Sequence, residues 1–61
     1  MSNLLTEWEV LKVLVDSLEL DLHKNARGNK SAGVRARKGL RLLKKHAGEL
    51  VKESLATDKE S

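Results

Sequence analysis

The chain has 61 residues, with 12 Lys or Arg against 9 Asp or Glu for a net charge of +3, no Cys, no Pro and one aromatic residue, Trp8. The lack of Cys excludes a disulfide framework and a thiolate metal site, and the longest uninterrupted apolar run, Val13-Leu14-Val15, excludes a membrane span. A chain this short buries only about 60% of its unfolded surface, so self-association is the expected route to stability.

Abundant Leu, Lys, Arg, Glu and Ala without Pro predict an all-helical chain forming one domain over residues 1–61. Glu7 and Glu9, with no basic stretch before them, argue against a secretory signal. The first helix is expected over about 3–24. Ser2 or Asn3 can cap it, and Thr6 with Glu9 has capping-box spacing. Leu4, Trp8, Leu11, Val15, Leu18 and Leu22 follow at spacings of four and three, an a/d seam. A second apolar set, Val10, Val13 and Leu20, lies far around the helical wheel from that seam. His23 and Lys24 suit the negative end of the helix dipole.

Residues 25–29, Asn-Ala-Arg-Gly-Asn, are the break. Gly28 can take the left-handed conformation that closes a helix, and Asn29 can cap the next. The second helix is expected over about 30–55, with a seam of Gly33, Ala36, Leu40, Leu43, Ala47, Leu50 and Ser54. Gly39 and Gly48 each cost about 1 kcal/mol relative to Ala, and small residues at Gly33, Ala36 and Ala47 let another helix come close. Residues 56–61 are expected to be a frayed polar tail. The architecture read from this is an antiparallel two-helix hairpin that dimerises into a four-helix bundle. Leu4, Trp8, Leu11, Val15, Leu18, Leu22, Leu40 and Leu43 are the expected packing and oligomerisation residues. One continuous helix in a coiled coil would need helix through Gly28 and Asn29.

Charge is the functional signal. Residues 24–45 hold nine Lys or Arg and no Asp or Glu, so segment charges run −4, +9 and −2 over 1–23, 24–45 and 46–61. Mixed charge serves solubility better than a block of one sign. Such a block invites a polyanion, most commonly nucleic acid, unless it is a solvated face paired with acidic neighbours. At about 100° per residue, Lys30, Arg37, Lys38, Arg41, Lys44, Lys45 and Lys52 share an arc of roughly 120°, opposite Leu40, Leu43, Ala47 and Leu50. The candidate DNA contacts are Arg27, Lys30, Arg35, Arg37, Lys38, Arg41, Lys44 and Lys45.

Other chemistries find little support. No catalytic residue is assigned, because no GxGxxG, P-loop or nucleophile-elbow spacing occurs. His23 and His46 sit in different helices without Cys, so no metal and no cofactor is expected. Asp16, Glu19 and Asp21 lack a pocket for acid–base work; Asp16 and Glu19 are expected level with residues 35–38 as charge partners. Trp8 lies on the apolar seam, where packing suits it better than base stacking. The mixture of Gly and Ala suits helix packing better than membrane insertion.

Residues 28–38, GNKSAGVRARK, followed by Leu40, Leu43, Lys44 and Lys45, resemble the bacterial linker-histone-like nucleoid proteins of the chlamydial type and their short bacterial relatives. Glu49, Lys52, Glu53 and Ser54 extend the likeness weakly, and the first helix is similar only in length and amphipathicity. The resemblance implies DNA binding and compaction in the bacterial cytoplasm and nucleoid. It points to Lys30, Arg35, Arg37, Lys44 and Lys45 as the matching basic positions. Chlamydial members carry a long Lys-rich tail where this chain has a short acidic one, so compaction is expected from bridging dimers or from coating.

The expected function is histone-like binding of double-stranded DNA, largely without sequence preference, by a homodimer with no small-molecule substrate and no membrane. No Asn or Gln falls within residues 30–55 to read base edges. The alternatives are a helical protein-interaction module docking an acidic partner, and RNA binding through the same phosphate chemistry.

Overall fold

The computed structural model describes residues 3–60. Two helices, α1 (Asn3–Ala26) and α2 (Lys30–Glu60), pack side by side as an antiparallel hairpin with extents of 48 × 14 × 11 Å. There is no strand among the described residues. The proposed cap at Ser2 lies outside the described residues, as does Ser61 of the tail.

The turn follows from two residues. Gly28 has φ +101°, a conformation that L side chains rarely adopt. The Asn29 amide donates to the Lys24 carbonyl at 3.0 Å and the Gly28 amide to the Asn25 carbonyl at 2.9 Å. This paired closure satisfies carbonyls that the end of α1 would otherwise leave open. Asn29 then starts α2, its Oδ1 accepting from the Ala32 amide at 2.9 Å. A side-chain cap of this kind contributes about 1 kcal/mol.

Between the helices, α1 presents Leu4, Glu7, Leu11, Leu14, Leu18 and Asp21, all buried or half-buried. This corrects the expected seam. Leu4, Leu11 and Leu18 face α2, but Trp8, Val15 and Leu22 remain 45%, 50% and 41% exposed. The reason lies in α2, whose inward side is built of Ala32, Ala36 and Gly39 near the turn. Ala32 and Ala36 are buried, and Leu18 packs directly against Gly39. Leu18 seats in this groove of small residues, and the α1 row that contains it, with Leu11 and Leu14, is thereby turned toward α2. Leu40, expected on the α2 seam, is accordingly 40% exposed, and Ser54 is exposed as well. Gly33 and Ala36 act as the small residues they were expected to be. Gly39, read as a cost, is where the Leu18 side chain packs.

The second helix runs five residues past its expected end. No Gly or Pro follows Gly48, and the Thr57 hydroxyl donates to the Glu53 carbonyl at 2.8 Å, within helical geometry.

Candidate nucleic-acid interface

Helix α2 carries the basic residues as a rigid array. Lys30, Arg37, Lys38, Arg41, Lys44, Lys45 and Lys52 are all exposed. Their arc is centred opposite the side of α2 that holds Ala32, Ala36 and Leu43 against α1, so the stripe points away from the rest of the hairpin. From Lys30 to Lys52 it extends about 33 Å at 1.5 Å per residue, close to one turn of B-form duplex at about 34 Å. Arg27 sits in the turn beyond the end of α1 and is exposed, so it adds a cation at the tip.

Arg35 behaves differently from the other seven candidates. Its Nη2 and Nε both approach Asp21 Oδ1 at 3.2 Å. Among the described residues it is the one candidate held by a carboxylate. The charge partnership expected between the helices therefore exists, but it uses Asp21. Asp16 and Glu19 are exposed on the far side of α1, and Glu19 instead lies 3.9 Å from His23 one turn on. The rotation of α1 that seats Leu18 also brings Asp21 towards α2.

One contact had no clear signal in the sequence. His46 Nδ1 is buried 3.7 Å from Glu7 Oε2 and has no hydrogen-bond partner. It is an ion pair only when the imidazole is protonated. Glu7 occupies a position spaced as a seam residue, four before Leu11, and a carboxylate there could have been paired with the half-buried His46. Among the described residues no group of three or more His, Cys, Asp or Glu could hold a metal ion, and no helix is long and apolar enough to cross a membrane.

Exposed cations on a rod, with no Asn or Gln among residues 30–60, suit phosphate backbones. Over residues 6–60 the sequence matches the family described as Histone H1-like protein Hc1. The chain belongs to this histone H1-like family. The match spans both helices of the hairpin, whereas the motif around residues 28–45 touches little beyond the turn and the front of α2. Membership supports a histone-like DNA-binding protein in general. No curated protein and no solved structure matches the chain.

Proposed function

We propose that this histone H1-like chain binds double-stranded DNA largely without sequence preference and organises or compacts it through the basic face of α2. It acts as a homodimer in the bacterial nucleoid. The observation that carries this reading is the stripe of exposed Lys and Arg on one side of α2. Lys30, Arg37, Lys38, Arg41, Lys44 and Lys45 meet phosphates, with Arg27 at the tip and Arg35 available in part while Asp21 holds it. Such contacts release counterions and position the protein without reading bases. The absence of Asn and Gln from α2 fits poor discrimination between sequences.

The test is fluorescence anisotropy of an arbitrary-sequence duplex titrated with protein at several salt concentrations. Binding at micromolar concentration or tighter, weakening steeply with salt, is the expected result. No binding at low salt would sink the reading and leave the protein-interaction module in its place. A matched duplex RNA that outcompetes DNA would reassign the nucleic acid.

A further inference from the structure

Gly33 is buried near the start of α2, yet what covers it is polar. A Cβ on Gly33 would run into the amide nitrogen of Asn25. It would also lie 2.9 Å from Asn25 Cγ and 3.1 Å from Arg37 Nη1. The other glycines differ. Gly39 meets the Leu18 side chain, and Gly28 and Gly48 meet nothing within 4 Å. Backbone freedom does not explain a glycine at 33, because only Gly28 has a positive φ among the described residues. Glycine is also a poor helix former. What the missing side chain provides is space.

Two side chains use that space. Asn25 closes the turn: its Nδ2 donates to the Asn29 carbonyl at 3.3 Å, and the same carbonyl accepts from the Gly33 amide at 3.2 Å. Arg37 stands four residues after Gly33 on the same edge of α2. A helical side chain leans back over the turn before its own Cα. At most cations of the stripe that place holds another side chain: Val34 precedes Lys38 by four, Arg37 precedes Arg41, and Leu40 precedes Lys44. Before Arg37 it is open, and the guanidinium lies beside Gly33. That is about 6 Å nearer the turn than its own Cα, at 1.5 Å per residue.

A preceding glycine does not suffice by itself. Lys52 follows Gly48 by four, but nothing would meet a Cβ at Gly48, so Lys52 does not settle there. At Gly33 the end of α1 contributes Asn25, which fills the rest of the notch beside Arg37. The seated guanidinium has no carboxylate partner among the described residues, so its charge stays available. It lies on the side of Arg37 that leads to Lys30 and, in the turn, Arg27.

We propose that Gly33 is a positioning residue for DNA binding: the space left by its missing side chain seats the Arg37 guanidinium toward the hairpin tip, where it meets the same run of phosphates as Lys30 and Arg27. The inference rests on the function proposed above. Its physical basis is that a pre-set guanidinium loses less side-chain freedom on binding than a free one.

The test measures duplex affinity by anisotropy at several salt concentrations for the full chain, Gly33→Ala, Arg37→Gln and the double variant. Circular dichroism checks that each stays helical, which alanine favours over glycine. Gly33→Ala is expected to lose affinity roughly three- to tenfold, with a salt slope shallower by about 1, as for one lost phosphate contact. Arg37→Gln should show the same loss. Gly33→Ala should then cost nothing more in the Arg37→Gln background, because both changes remove one contact. An undiminished cost there would mean that Gly33 serves the turn alone, and it overturns the proposal. So does a Gly33→Ala chain that binds as tightly as the parent.

If Gly33→Ala disturbs the turn, the same substitution is read in an Asn25→Ala chain. The obstruction by Asn25 is gone there and the contact with Arg37 remains, so the same loss is expected. Proton NMR of the free parent chain should show cross-relaxation between the Gly33 α-protons and the Arg37 side chain. Its absence in a chain that binds DNA overturns the seating. If the parent binds no duplex at low salt, the proposed function fails and the DNA role of Gly33 with it, while the spectra still judge whether Gly33 seats Arg37.

Discussion

Gly39 and Gly48 have the same helix propensity and opposite surroundings. A Cβ added at Gly39 would run into the Leu18 side chain, whereas one at Gly48 meets nothing within 4 Å. In an exposed helix, Gly→Ala stabilises by about 1 kcal/mol. Gly48→Ala should deliver roughly that gain in a urea titration at fixed protein concentration. Gly39→Ala should fall short of it by about 1 kcal/mol or more, since Leu18 must leave a low-energy packing arrangement. Equal gains at both sites would mean that Leu18 does not seat against Gly39. Asp21 makes a second residue-scale prediction. The pair with Arg35 is half in solvent, so its loss costs stability only about 0–1 kcal/mol. Asp21→Asn should instead raise affinity for a duplex severalfold at low salt, because it frees Arg35 and removes a negative charge next to the array. Weaker binding on anisotropy titration would show that Asp21 positions Arg35 for DNA rather than withholding it.

At the scale of the helix, α2 was largely legible and α1 was not. The basic arc of α2 needs only the helical period, and the structure keeps it exposed along its length. Reversing Arg37, Arg41 and Lys45 to Glu together should abolish duplex binding at moderate salt while circular dichroism retains the helical signal. Binding that survives this change would place the interface elsewhere. Arg35 is left out of this set because a Glu there would face Asp21, mixing a packing effect with the loss of phosphate contacts. Helix α1 defeats periodicity because it is apolar nearly all round: Leu5, Trp8, Val10, Val13, Val15 and Leu20 are exposed in the hairpin beside the leucines it buries. Several stripes then fit spacings of three and four. Which stripe packs is decided by the opposing surface: Gly39 takes Leu18, and Leu11 and Leu14 lie in the same row. The two acidic residues of the interface, Glu7 and Asp21, belong to the same selected stripe, so they could not be singled out before the stripe was known.

For the whole molecule, affinity and assembly are linked through charge and apolar area. If about 4–6 phosphates are met per subunit, the logarithm of the binding constant should fall against the logarithm of salt with a slope of about −4 to −5. A slope near −1 would point to one or two contacts and against the stripe acting as a unit. Assembly has its own signature, since the only tryptophan lies on the exposed apolar side. Raising protein concentration should shift Trp8 emission to the blue and raise the midpoint of thermal unfolding, because binding between folded chains stabilises them by mass action. Trp8→Ala should weaken the dimer, seen as a lower mass at a given concentration. A melting midpoint independent of concentration would argue against any dimer.

The sequence by itself determined the helical class, the break at Gly28 and Asn29, and the basic stripe. Each depends on local conformation or on spacing along one helix, which chemistry within a few residues dictates. The tertiary structure alone decided which row of α1 is buried, why Gly39 is tolerated, and that Asp21 rather than Asp16 or Glu19 meets Arg35. Those depend on how two surfaces fit. Among the described residues the buried core is one leucine and two alanines, so a small rotation of α1 changes which side chains reach α2, and the shape of the facing groove sets that rotation.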